Sequence, residues 1–165
     1  MKELILIRHA KSSWSNPLLE DFERPLNKRV AKNAPFMAKI LKQKEVNPDL
    51  IISSPSKRTK DTLDFFIKEF DYKGEIIFEE SIYEAPFENL LKVVKNIDDK
   101  HKTIFLFGHN PGFNDLADFL LGRFEENIPT SGVLKINFDI KKWENLKEKI
   151  GILEFFIYPK MFDKS

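Results

Sequence analysis

Short apolar runs that stop abruptly at polar or charged residues punctuate this chain. Residues 4–7 lead into Arg8 and His9, residues 104–107 into Gly108 and His109, and the shorter run 50–52 into Ser53 and Ser54. Runs of this length without alternation suit strands buried on both faces, the habit of a parallel sheet. Between them the period changes to that of a helix. Leu63, Phe66, Ile67 and Phe70 fall at i, i+3, i+4, i+7, as do Leu90, Val93, Val94 and Ile97, and again Phe113, Leu116, Ala117 and Leu120. A further helix is expected over residues 27–44, with Phe36, Met37, Ile40 and Leu41 facing inward and Pro35 either kinking it or marking a restart capped by Asn33. Ile76–Phe78 reads as another short strand, and Val133–Phe138 and Ile152–Ile157 as strands at or near an edge. Residues 139–149, charged around Trp143, read as an exposed loop or short helix. The repeating strand–helix order predicts one α/β domain over residues 1–165, with three α/β/α layers, a mostly parallel central sheet and right-handed crossovers.

Composition removes several function classes. Lys+Arg 27 against Asp+Glu 26 leaves a net charge of +1, so no general attraction to nucleic acid or anionic lipid is expected. The chain has no cysteine, which excludes disulfides, thiolate metal sites and thiol nucleophiles together. Its N-terminal apolar run is too short for a signal-peptide core, and nothing approaches the roughly 20 apolar residues of a membrane helix. A soluble, cytoplasmic protein is the expectation.

Ligands of open α/β sheets sit beyond the carboxyl ends of the strands. The residues due there are Arg8 and His9, then Ser53, Ser54 and Arg58 in "SSPSKRTKDT", then Gly108, His109 and Asn110, with Glu84 in "SIYEAP" after the Ile76–Phe78 strand. Each alone has an ordinary reading: a solvated strand end for Arg8-His9, a turn residue for His109, a helix face for Arg58, helix caps for Ser53 and Ser54. Together they match a phosphoryl group, whose oxygens suit forked guanidinium donors better than a lysine's point charge. A neutral imidazole beside such a clamp can attack phosphorus and form a covalent intermediate, which nominates His9. A second imidazole, most useful as imidazolium, can hold the equatorial oxygens, which nominates His109. Backbone N–H groups of helices starting near Ser56 and Phe113 would add to the anion site. No metal or cofactor is required. His101, in "DDKHKT", and Lys28, Arg29, Lys32, Lys39, Lys42 and Lys44 read as surface residues.

"LIRHA", "SSPSKRTKDT" and "FGHNPG" resemble the signature segments of the histidine phosphatase superfamily, with its phosphoglycerate mutase-like fold. "RHAKSSW", "RPL", "IYEA", "GHNPG", "PTSGV" and "YPKM" resemble, in order, its small SixA-type phosphohistidine phosphatase branch, over nearly the whole chain. The resemblance implies a phosphohydrolase with His9 as the phosphorylated nucleophile and Arg8, Arg58 and His109 completing the phosphate pocket. It places Ser12 among the phosphate-binding residues and Glu84 at the proton donor, through Ile82-Tyr83-Glu84. Ala10 replaces a common Gly, Ser15 stands where the mutases carry a phosphate-binding Asn, and Val30 takes the place of a common Gly. The short connection after Glu84, residues 85–89, implies an open pocket that admits a side chain displayed on another protein. Trp14 and Phe87 either flank that opening or pack in the core.

Three readings are open. One is a phosphatase acting on protein-bound phosphohistidine, for instance on a histidine phosphotransfer domain. A second keeps the enzyme and makes the substrate a small phosphoester. A third is a phosphate- or phosphoprotein-binding module without turnover. A metal hydrolase built on His9, His109 and a carboxylate ranks below these, because two arginines would repel a cation.

Overall fold

The computed structural model describes residues 1–13, 16, 18–27 and 32–162. Trp14, Ser15, Lys28, Arg29 and Val30 lie outside the described residues, and with them the expectations attached to these positions.

Six strands, β1 (Lys2–Arg8), β2 (Leu50–Ser53), β3 (Ile76–Phe78), β4 (Thr103–Gly108), β5 (Val133–Phe138) and β6 (Ile152–Ile157), form one sheet in the order β3-β2-β4-β1-β5-β6. The first four are mutually parallel, whereas β5 runs antiparallel to both β1 and β6. Successive side chains of a strand face opposite ways, so an unbroken apolar run needs cover on both faces. Among the described residues, cover comes from four α-helices. Ile5, Ile7, Ile51, Phe105 and Phe107 pack against α1 (Asn33–Gln43) and α2 (Lys57–Phe70); Leu4, Leu6, Ile52, Ile104 and Leu106 pack against α3 (Phe87–Lys95) and α4 (Gly112–Leu121). The result is the three-layer α/β/α arrangement. Truncating a fully buried leucine of this sheet, such as Leu106, should cost about 2–5 kcal/mol.

Three expectations need correction. In α1 the buried stripe is Ala34, Met37, Ala38 and Leu41, not one that includes Phe36, which is 41% exposed and packs edge-on against Phe162. Pro35 sits in the first turn of a helix that starts at Asn33, within one residue of the expected restart but with Lys32 in place of Asn33 at the cap; backbone N–H groups there have no intrahelical acceptor. His101 is half-buried rather than a surface residue, and its carbonyl accepts from Lys2 Nζ and Trp143 Nε1. Trp143 itself is fully buried and Leu146 nearly so, within a 139–149 segment whose charged residues are exposed.

The strand order decides where chemistry can gather. β4 lies between β2 and β1, so the three connections leaving their carboxyl ends open side by side. With neighbouring strands roughly 4.8 Å apart, side chains on all three connections come within reach of one another. The register fixes this, with Arg8 opposite Gly108 and Ser53 opposite Phe107.

Candidate active site

Arg8 closes β1, His9 comes directly after it, His109 comes directly after β4, and Arg58 stands in the first turn of α2, just beyond β2. The structure brings all four together. Arg58 Nε donates to His9 Nε2 at 3.3 Å, Arg58 Nη2 lies 3.5 Å from His109 Nδ1, and the imidazole centroids are 5.1 Å apart. His9, Arg58 and His109 keep exposures of 7%, 5% and 4%, so the cluster is buried but meets the surface at its edge.

Local hydrogen bonds select the imidazole tautomers. His9 Nδ1 lies 2.7 Å from the Ala10 carbonyl oxygen, which can only accept, so Nδ1 carries the proton and Nε2 the lone pair. The Ala10 peptide is pinned in turn, its N–H donating to Thr62 Oγ1, which donates to the Arg58 carbonyl. At His109, Nε2 sits 2.7 Å from Ser54 Oγ and Nδ1 faces Arg58, an arrangement that suits a proton on Nε2. Ser54 also accepts from the Ser56 N–H at the start of α2, so its hydroxyl orients His109 as well as serving the helix.

Burial sets the charge states. Desolvation chiefly, with the positive fields of Arg58, Arg8 and Arg24, pushes His9 down to about 4 despite the stabilising Ala10 carbonyl. His109 is pushed down to about 3 by burial first, then by His9 and Arg58. Both rings are therefore neutral at pH 7. Arg8 donates from Nη1 to the Ile128 carbonyl at 2.8 Å, while its buried Nε makes no hydrogen bond among the described residues. No group of three or more His, Asp or Glu among those residues is arranged to hold a metal ion.

The other two expected residues take peripheral positions. Ser12 Oγ accepts from Arg24 Nη2 at 2.7 Å and so reaches the cluster through that guanidinium. Glu84 is exposed, with φ 49, and lies close enough to Asp21 and Arg24 to influence both. Phe87 does not flank the opening as a free ring; it is half-buried against Phe119, and only Ala85 and Pro86 separate Glu84 from α3.

Sequence reasoning missed Asp21, Arg24, Tyr83, Ser54's bond to His109, and Thr62. Asp21 is the hub. Its carboxylate pairs with Arg58 Nη2 and Arg24 Nη2, both at 3.2 Å, and accepts the Tyr83 hydroxyl, while its carbonyl accepts Arg58 Nη1 at 2.8 Å. Burial alone would raise its carboxyl, but Tyr83, Arg58 and Arg24 together hold it below the ordinary range. Tyr83 is pushed up to about 12 by burial and by Asp21, and its ring meets His109 edge-on at 5.4 Å. Two signals were available: the i, i+3 spacing of Asp21 and Arg24 ahead of Pro25-Leu26, and the neighbour relation of Tyr83 to Glu84.

Residues 4–112 match the model of the histidine phosphatase superfamily (branch 1). An uncharacterized chloroplastic protein of Arabidopsis thaliana is 35% identical over 130 residues, an alignment that takes in 73% of this chain and 60% of that protein; the chain thus spans under two thirds of that relative's length. The crystal structure of the candidate phosphohistidine phosphatase SixA from Agrobacterium tumefaciens superposes with a TM-score of 0.83 at 25% identity, covering 96% of this chain and 98% of the other. A protein histidine phosphatase SixA complexed with tungstate shares the fold, with a TM-score of 0.84, 16% identity and coverage of 98% and 99%. From the matched segment and these likenesses, the chain belongs to the histidine phosphatase superfamily, in its SixA-type branch.

Proposed function

We propose that this protein is a phosphatase that transfers a phosphoryl group to His9 Nε2 and then to water, with phosphohistidine on a protein as its preferred substrate class. One observation carries the reading: the Ala10 carbonyl holds the Nδ1 proton, which leaves the Nε2 lone pair facing Arg58 and His109. In the first step Nε2 bonds to phosphorus as the bond to the leaving group breaks. In the second, water displaces Nε2 and inorganic phosphate leaves. Arg8 and Arg58 supply the positive charge that the three equatorial oxygens need, so neither step calls for a metal or cofactor.

His109 enters neutral and becomes useful when the phosphoryl dianion arrives, because the negative charge favours protonation of Nδ1, which then donates to an equatorial oxygen. Glu84, at the rim, serves as proton donor to a leaving group. An alkoxide requires that proton, whereas an imidazole, with a pKa of roughly 6.5, leaves a P–N bond with little help. Ser12 contributes by fixing Arg24.

Rapid quench with radiolabelled phosphohistidine tests the reading. Acid-labile label on His9, absent from His9→Ala, is the expected result; bound phosphate without label on His9 would leave only a binding module. Glu84→Gln sorts the substrates: ester hydrolysis should fall by roughly 10²-fold or more while phosphohistidine cleavage stays within about threefold.

A further inference from the structure

Arg58 presents two edges. Nε and Nη2 face His9 and His109, at 3.3 and 3.5 Å, whereas Nη1 and the second hydrogen of Nη2 face Asp21, at 2.8 Å to its carbonyl and 3.2 Å to its carboxylate. One planar group with five N–H donors is therefore shared between the two imidazoles and one acidic residue.

We propose that Asp21 is a positioning residue: it grips the outer edge of the Arg58 guanidinium so that the inner edge stays aligned on a phosphoryl group in front of His9 Nε2. This inference rests on the phosphatase reading and adds a residue to it. A phosphate bound by the inner edge leaves the Asp21 contacts intact, so the carboxylate need not move during turnover. Asp21 also lies between Arg58 and Arg24, whose like charges would otherwise push them apart, and it is itself fixed by the Tyr83 hydroxyl. Tyr83 lies under the guanidinium, its ring centroid 5.8 Å from Arg58 Cζ, and Phe22 packs edge-on against that ring at 5.1 Å. The segment that carries Asp21 is thus joined to the site by charge, hydrogen bond and ring contact, and Asp21 meets Arg58 at the edge turned away from the imidazoles.

A double-mutant cycle tests this with the full chain: wild type, Asp21→Ala, Arg58→Ala and the double variant, with Asp21→Asn as the variant that keeps an oxygen acceptor for Arg58. The readouts are turnover of phosphohistidine, inhibition by vanadate and melting temperature. Asp21→Ala should lower kcat by roughly 10²-fold with KM within about threefold, and weaken vanadate by a similar factor, as expected when an aligned donor is misplaced by about 1 Å. Asp21→Asn should lose less than Asp21→Ala. In the Arg58→Ala background, Asp21→Ala should cost nothing further, because its route to the chemistry is already gone. A merely structural Asp21 would lower the melting temperature and leave these couplings untouched. Asp21→Ala with kcat and vanadate inhibition within threefold of wild type, or an equal loss added to that of Arg58→Ala, overturns the proposal. If Asp21→Ala does not fold, the same cycle is run with Asp21→Asn and judged by the same non-additivity. If the wild type forms no label on His9, it is the phosphatase reading that falls, and tungstate binding by calorimetry across the same four proteins then decides the Asp21–Arg58 coupling.

Discussion

Both ends of the central sheet bury cations, and they treat them differently. Toward the amino ends of β1 and β4, Lys2, 3% exposed, donates to the carbonyls of Asp99 and His101 at 2.5 and 3.0 Å and lies over the Trp143 ring. Lys135, 6% exposed, bridges Glu3 and Glu154 at 2.7 and 2.6 Å. At the carboxyl ends, Arg8 keeps a buried Nε that no described group accepts, and Arg58 turns its inner edge toward two neutral imidazoles. A cation whose donors meet carbonyl and carboxylate acceptors holds the fold together. One with a donor unmatched, as at Arg8, or with an edge turned to neutral imidazoles that an anion can replace, as at Arg58, is costly for the fold and suited to an anion.

The sharpest test of the contrast is at the nucleophile. His9→Ala should reduce turnover by roughly 10⁴-fold or more, measured by phosphate release, while the melting temperature holds or rises, since a buried imidazole set among guanidinium groups is removed. A variant that retains turnover within tenfold would move the chemistry away from this end of the sheet. Next in size is Arg58→Lys, which keeps the charge and loses the fork: kcat/KM should fall by about 10²–10³-fold. Wild-type kinetics in that variant would mean that Arg58, like Lys135, is paired for stability alone.

The fold was readable in the sequence because its cause is local: an apolar run of two-sided burial can hardly be anything but an inner strand, and the Leu63, Leu90 and Leu116 stripes have one phase each. In α1 the larger apolar residues suggested a stripe through Phe36, whereas Ala34, clustered with Ala10 and Leu26, and Ala38, in the core beneath the sheet, set the true phase. The clustering of Arg8, His9, Arg58 and His109 was readable because strand-end rules place residues without needing side-chain detail. Asp21 was not, since its role depends on how a connection folds back on Arg58, 37 positions away in sequence, and no period records that. Glu84 and Tyr83 show the same difficulty: neighbours in one connection, of which the aromatic turns inward and the carboxylate outward.

Acid titration separates the two ends again. His9 and His109, at about 4 and about 3, lie below the 6.5 of an unfolded histidine, so between these values the unfolded chain binds protons that the folded site refuses. Stability should therefore be highest above pH 6.5 and fall as pH drops from there toward 4, by on the order of 3 kcal/mol for each ring, a window that lies mostly above the ordinary carboxylate range. Denaturant midpoints at pH 7 and pH 4.5 measure it. His9→Gln should flatten the fall, and an unchanged slope in that variant would show that His9 is not held neutral by burial.

The smallest expected effect belongs to the end of the sheet that does no chemistry. Lys135→Met keeps the length of the side chain and removes the charge that joins Glu3 on β1 to Glu154 on β6. Those carboxylates keep 29% and 44% exposure and can recover hydration, so the loss is held to about 1–2 kcal/mol instead of the larger penalty of stranding a fully buried charge. Turnover should stay within about twofold of wild type, because this bridge lies on the strands while the phosphoryl clamp is set by the connections beyond their carboxyl ends. A large loss of kcat in a Lys135→Met protein that still melts cooperatively would mean that the two ends are mechanically coupled through β1, and the separation of paired from unmatched cations would then describe one system instead of two.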